Sequence, residues 1–494
     1  MKNAIALFML TVFVTGCKLG PNYQRPQVDV PGGYRGAPPL EPAQPQQNSS
    51  QPAQQSAPQA SQSAGDSQQN TPQSSEPSFG DQKWWEVFQD PQLQDLIRTA
   101  LKQNYDVRIA ATRILEAQSI VGITRGAQLP SVYAGGSAAD ERSPRQKNLP
   151  PEYNTSSNSV NASLVWDLDF WGKYRRATEA ARANLLASEW ARRQVMSTLV
   201  SNVASAYFQL RAYDLQLEIA KQTLASRQES LQLTRTLADG GSGTELDVRQ
   251  AEELVSVAAE TIPDLERRIQ QQENLISTLL GNNPGPIARG MKLTEQPHLP
   301  EVPSGIPSSL LERRPDIRAA EAQLVEANAL IGVAKAAYFP NITLTATSGF
   351  QSSSLTSLFT GPAGMWNFGG AVSQPVFAGG RITSNVHLTE QRKEEMVLTY
   401  QQAIQQAFRG VSDSLIAYQK NREYREHQQD LVISAQDAAQ LSEVRYRGGA
   451  TDYLEVLTNE TNAFDAELGL AQSQANELLS LVDIYRNLGG GWEQ

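Results

Sequence analysis

The sequence holds one cysteine, Cys17, so no disulfide can form within the chain. Its three histidines, His298, His387 and His427, are far apart in sequence, which argues against a Cys/His metal cluster. Basic residues are outnumbered: 42 Lys and Arg against 52 Asp and Glu give a net charge of -10, with the two signs well mixed. That leaves no electrostatic footprint for nucleic acid. Beyond the N-terminus there is no run of eighteen apolar residues, so no ordinary membrane-crossing helix is expected. Barrel strands are untouched by this, because their hydropathy signal is far weaker. No G-x-S-x-G, catalytic Cys/His pairing or phosphate-binding glycine loop occurs, so neither an enzyme nor a cofactor site is expected.

One long stretch, Lys173 to Asp239, lacks both proline and glycine. Along it Met196, Leu199, Val203, Ala206, Leu210, Tyr213, Leu217, Ala220, Leu224 and Leu231 recur mostly at alternating three- and four-residue steps. This heptad seam predicts one continuous helix with a narrow apolar stripe, about 100 Å long at 1.5 Å per residue. A compact domain has no use for such a rod, whereas a stave crossing a cell-envelope compartment does.

The N-terminus reads as an export address. Lys2 precedes an apolar stretch from Ala4 to Val14, then Thr15-Gly16-Cys17. The sole cysteine after a small residue is similar to the bacterial lipoprotein signal. In that signal residues 1–16 are removed and Cys17 carries a covalent lipid; a plain signal peptide is the alternative. Residues 17–33 then form a lipidated N-terminal segment. The Gln/Ser/Pro-rich stretch 34–78 has too few apolar residues to offset the entropy of ordering, so it is expected to be a disordered insert.

The remainder is a tandem duplication. Ala100–Pro130 aligns without gaps with Leu310–Pro340: Asp106 matches Asp316, Glu116 matches Glu326, and Gly122 matches Gly332. Further on Gly172 matches Gly380, Val203 matches Val411, Gly241 matches Gly449, and Val248 matches Val456. A period of about 200 residues is far longer than solenoid repeats, so each copy is a structural half. The halves are 79–283 and 310–488, joined by a Pro/Gly-rich linker at 284–309 and followed by a tail at 489–494.

Each half reads as helix, strand, loop, strand, very long helix, glycine turn and shorter helix. Strands are expected at 131–142 and 159–170, then at 341–350 and 366–377. Their alternation, length and terminal aromatics (Trp166, Phe170, Trp171, Trp366, Phe368, Phe377) suit a bilayer, while a soluble sandwich is the plainer alternative. Four strands cannot close a barrel, and an open edge in lipid is costly, so membrane strands would require several protomers sharing one barrel. Gly240-Gly241 and Gly448-Gly449 provide the left-handed residues of two tight reversals. Thr244 and Asp452 stand where they can cap the helices that follow, and Pro263 is expected to bend or break the first of them.

In order, the segments Gly16-Cys17, Gly20-Pro21-Asn22-Tyr23, Arg25-Pro26, Trp84-Trp85, Asp90-Pro91 and Trp166-Asp167-Leu168-Asp169-Phe170-Trp171-Gly172 resemble one family. Arg314-Pro315-Asp316-Ile317-Arg318-Ala319-Ala320-Glu321 and Arg445-Tyr446-Arg447-Gly448-Gly449, with Leu454-Glu455-Val456-Leu457, complete the set. The family is that of the outer-membrane factor (TolC-like) efflux channels, in its lipoprotein branch. The insert is longer than that family leads one to expect.

This resemblance implies an α+β fold: an internally duplicated long-helix α-barrel plus a transmembrane β-barrel with four strands per protomer. A homotrimer would then close a twelve-stranded barrel in outer-membrane lipid. It implies a passive exit duct extending into the periplasm, working with a periplasmic membrane-fusion adaptor and an inner-membrane efflux pump. Gly240, Gly241, Gly448 and Gly449 would mark the adaptor-docking tips. Tyr446 and Asp247 would pair at the periplasmic gate, and Glu455 would join an acidic ring. A basic gate residue of some members falls on Thr451, which puts that latch in doubt. Asp247 and Glu455 also suit a helix N-terminus with no gate at all. A periplasmic coiled-coil scaffold lipoprotein without pore activity is the competing function.

Overall fold

The computed structural model describes residues 18–36, 78–142, 154–297, 303 and 307–492. Cys17, the signal segment and residues 37–77 of the insert lie outside the described residues. The first half contains α1 (Trp84–Val87), α2 (Pro91–Gln103), α3 (Tyr105–Gly126), β1 (Ser131–Arg142), β2 (Asn154–Asp167), α4 (Lys173–Asp239) and α5 (Glu245–Leu279). The second contains α6 (Pro307–Arg313), α7 (Pro315–Ala336), β3 (Asn341–Ser352), β4 (Gly364–Ser373), α8 (Arg381–Arg447) and α9 (Tyr453–Asn487). The duplication is visible in the lengths: α4 and α8 both have 67 residues, and α5 and α9 both have 35.

The chain divides into two units. One takes the N-terminal residues to Asp29 with Tyr105–Val195 and Pro315–Gln405; the other takes Val30–Asn104, Met196–Arg314 and Gln406–Gln494. In the first unit the strands form one antiparallel sheet in the order β1-β2-β3-β4, so β1 and β4 are unpaired edges. Every residue of β1 is exposed, and Trp366 and Phe368 of β4 are 82% and 71% exposed. A sheet with this much bare apolar surface has no core of its own in a single chain.

Three of the strands differ in their bounds from expectation. β2 begins at Asn154, not 159, because it pairs with the full length of β1, from Ser131↔Val165 to Arg142↔Asn154. It stops at Asp167 rather than 170, because the Asp169 carboxylate accepts the backbone N–H groups of Tyr174 and Arg175 and draws the chain into α4. β3 runs on to Ser352. β4 spans 364–373 instead of 366–377, since Pro375 has no N–H for a ladder. Trp171 donates its Nε1–H to Pro340 O at 2.8 Å and stacks on Phe339 at 4.8 Å, beside the strand ends.

In the same unit the N-terminal arm is bound closely. Arg176, almost fully buried, donates to Leu19 O, Gly20 O and Asn22 Oδ1 at 2.9–3.0 Å. Asn328 donates to Pro21 O, Tyr23 to Glu321, and Arg25 to Glu321 and Tyr400. Gly20 (φ 91°) lies against Gly332: a Cβ on Gly332 would stand 2.6 Å from Leu19 O and 2.8 Å from Arg176 Cγ. Gly332→Val should therefore push the arm off its seat. The check is chymotryptic cleavage after Tyr23, expected to be slow in the wild type and fast in the variant.

In the second unit the seam of α4 is buried: Leu199, Val203, Ala206 and Leu210 are each under 9% exposed. Asp90 is fully buried and caps α2 through Gln92 N and Leu93 N. Its other oxygen accepts from Tyr207 OH (2.8 Å), Met291 N (2.9 Å) and Gln296 Nε2 (3.2 Å), tying the linker to α4. The ordered chain also passes the expected start of the insert at 34. Tyr34 is buried with its ring 6.3 Å from Phe408, and a Cβ on Gly36 would stand 2.6 Å from Ile416. Pro263 does not break α5, which runs unbroken from Glu245 to Leu279. Ala258 and Leu265 are buried on either side of it, and this packing outweighs the lost backbone bond.

Candidate functional site

The two hairpin reversals share one backbone design. Gly241 (φ 74°) and Gly449 (φ 70°) take the left-handed residue. Gly241 N donates to Ala238 O and Ser242 N to Leu237 O; Gly449 N donates to Tyr446 O and Ala450 N to Arg445 O. This doubled pattern is the Schellman closure of a helix C-terminus. Gly240 and Gly448 complete the turns, and all four glycines are exposed.

The restarts differ. Thr244 caps α5, its hydroxyl accepting from Asp247 N at 3.2 Å while the Asp247 carboxylate accepts from Thr244 N at 2.9 Å. Asp452 stands at the same place before α9, yet its side chain makes no capping bond, contrary to expectation. The repeat places Glu455 opposite Asp247. With one more methylene Glu455 turns elsewhere: Arg445 Nη1 donates to its Oε1 at 2.7 Å, and the Thr451 hydroxyl donates to Oε2. Thr451 therefore engages the Glu455 carboxylate, and the cation beside it is Arg445.

Tyr446 and Asp247 are neighbours but are not hydrogen-bonded in the single chain. The Tyr446 hydroxyl is buried without a hydrogen bond, and Thr234 beside it spends its own proton on Ser230 O. Burial, and then the charge of Asp247, raise the Tyr446 pKa. In the single chain one Asp247 oxygen closes the capping box with Thr244. The Tyr446 ring meets Tyr453 edge-on at 5.1 Å and packs on a cluster of Leu231, Val248, Ala251, Leu254, Tyr453 and Val456. That cluster joins the ends of α4, α5, α8 and α9 around one apolar lock.

Beside it a charged residue sits where the seam leads one to expect an apolar one. Arg227 of α4 is 2% exposed. It donates to Leu254 O of α5 at 2.9 Å and to Glu460 O of α9 at 3.3 Å, and its guanidinium sits 5.0 Å from the Phe464 ring centroid. The signal was present: Arg227 falls between Leu224 and Leu231 at the step where the seam calls for an apolar residue. Burial raises the Glu460 pKa, with Arg227 opposing. Among the described residues no helix is long and apolar enough to cross a membrane, and no His/Cys/Asp/Glu group could hold a metal ion.

A duplicated chain with a membrane-suited open sheet, two paired helical hairpins and a lock at their tips defines a duct component rather than a globular binding protein. The sequence model described as outer membrane efflux protein matches residues 96–282 and 306–490, one span in each half. Across 494 residues the chain is 34% identical to the probable efflux pump outer membrane protein TtgC of Pseudomonas putida, covering 99% of this chain and 96% of that one. It is also 34% identical over 491 residues to the cation efflux system protein CusC of Escherichia coli, covering 99% and 98%. Its fold is similar to the outer-membrane channel OprN (TM-score 0.83, 28% identity, 96% of this chain and 100% of that one). It is similar too to the open-state MtrE outer membrane channel of Neisseria gonorrhoeae (TM-score 0.81, 28% identity, 97% and 99%).

The chain belongs to the outer membrane efflux protein family. It is an efflux channel of the outer membrane that extends into the periplasm, with a long-helix barrel and a four-stranded contribution to a β-barrel. This decides against the poreless periplasmic scaffold.

Proposed function

We propose that three copies form one ring that serves as the passive exit duct of a tripartite pump. One observation carries the ring: repeat-equivalent helices are covered unequally. Ala322, Asn328 and Gly332 of α7 are all buried within their own chain, Gly332 against Leu19 and Arg176 and Asn328 against Pro21. Their equivalents on α3, Gly122, Thr112 and Gln118, are exposed, and a Cβ on Gly122 would meet nothing within 4 Å. α7 meets α4 where Asn184 donates to Glu326 at 3.0 Å. The equivalent pair is Arg392 of α8 and Glu116 of α3, both exposed and of opposite charge. The bare face of α3 thus fits α8 of the next copy, head to tail, and such an interface gives a ring when its rotation closes. Three copies would pair the free edges of β1 and β4 in a twelve-stranded barrel.

The test is a cross-link. Arg176 and Gly332 approach closely, and their equivalents are Ser384 and Gly122. The double variant Ser384→Cys with Gly122→Cys should give, on mild oxidation, a ladder ending at three chains, with no ladder from either single variant. A ladder ending at two, or none, would contradict the ring.

Lipidation of Cys17 fits this placement, since Leu19 N donates to Trp171 O at 3.3 Å beside the strand ends. A lipid two residues earlier would enter the membrane at that level. The exposed turns around Gly240, Gly241, Gly448 and Gly449 suit docking of a periplasmic adaptor, flanked by Leu246, Leu441, Val444 and Leu454, all more than half exposed. Asp247, Tyr446 and Glu455 form the periplasmic gate in this proposal. Relatives are named for toluene, antibiotic and cation efflux; in this proposal the inner-membrane pump rather than the duct selects the cargo.

A further inference from the structure

We propose that Arg445 sets the ionic selectivity of the tip entrance by masking Glu455 within its own chain; this rests on reading the tips as the gate. A free carboxylate repeated by symmetry around a narrow entrance favours cations and binds divalent ions. Here neither oxygen of Glu455 is free, because Arg445 Nη1 takes Oε1 at 2.7 Å and Thr451 takes Oε2. The entrance then carries neutral pairs in place of a negative ring.

The arrangement is particular to the second tip. At the equivalent positions of the first tip stand Leu237 and Gly243, and Asp247 has only its cap. Stability does not account for the pair, since Arg445 and Glu455 side chains are 54% and 35% exposed and such ion pairs contribute little. Nor does helix capping, because Glu455 forgoes the box that Asp247 closes. The other arginine of this turn, Arg447, is held by Glu443 one turn back and is not available to Glu455. What remains is the field at the entrance.

The experiment uses the full-length channel in planar bilayers, reading the reversal potential in a KCl gradient and the block by magnesium added on the tip side. Arg445→Gln should shift selectivity towards potassium and lower the half-blocking magnesium concentration about tenfold, as uncompensated charges at close range require. Arg445→Gln with Glu455→Gln should restore both readings towards wild type, and the charge-exchanged pair Arg445→Glu with Glu455→Arg should resemble wild type. Conducting channels in which Arg445→Gln changes neither reading, or changes both equally with Glu455→Gln present, would overturn the proposal while leaving the channel intact. A wild type without conductance would instead remove the channel reading and this proposal with it.

Discussion

Arg227→Ala is expected to cost about 3 kcal/mol and to loosen the tips, because it leaves Glu460 buried beside an emptied site. The loss has three parts: two bonds to carbonyl oxygens on different helices, the contact with Phe464, and the counter-charge of Glu460. Lysine cannot replace it, since a point charge on a flexible stem cannot span Leu254 O and Glu460 O together as a planar fork does. Glu460→Gln should behave oppositely. Burial raises the Glu460 pKa above its ordinary 4.5 even with Arg227 near, so the fold favours the protonated form. A carboxyl whose folded pKa is raised gives stability that is lost as pH rises through that value. At neutral pH the amide should therefore be tolerated or slightly stabilising, and the wild type's gain on acidification towards pH 4.5 should vanish. Thermal unfolding followed by helix ellipticity separates the cases: a large fall in Tm for Arg227→Ala and little change for Glu460→Gln. Equal losses would show that the ion pair, not the carbonyl bridge, holds the helices.

Asp90→Ala should be comparably damaging, at about 3–5 kcal/mol, by leaving several buried donors unsatisfied. Tyr207 OH, Met291 N and Gln296 Nε2 all point at one oxygen, and Gln92 N and Leu93 N at the other. A Cβ on Gly290 would stand 2.1 Å from Asp90 Oδ1, so the linker cannot close over a bulkier residue there. Asp90→Asn keeps the shape but offers one acceptor oxygen and an NH2 facing donors, so it should lose most of the same stability. The linker should also become sensitive to trypsin after Arg289 and Lys292. If Asp90→Asn melts with the wild type, the carboxylate is not the organising group.

What the sequence made legible was whatever repeats or is local. The bounds of α4 follow from Gly172 and Gly240 and from an unbroken seam between them. The two reversals follow from paired glycines, and the halves from Gly122/Gly332 and Gly241/Gly449. What stayed hidden depends on partners distant in the chain. Arg176 gives no hint that it holds residues 19–22, and the linker partners of Asp90 are some 200 residues away, as the Asp90–Met291 bond illustrates. Tyr446 and Asp247 lie near each other without a bond in the single chain, where one Asp247 oxygen closes a capping box with Thr244. The turn of Glu455 towards Arg445 depends on one methylene, which no periodicity registers.

This chain makes a pore. The most direct test of this is the conductance of the wild-type protein, purified from membranes and added to a planar lipid bilayer. Discrete, uniform current steps, which increase in size when Tyr446→Ala opens the apolar lock at the tips, are predicted. Protein that is intact and oligomeric yet gives no steps at any concentration would contradict it.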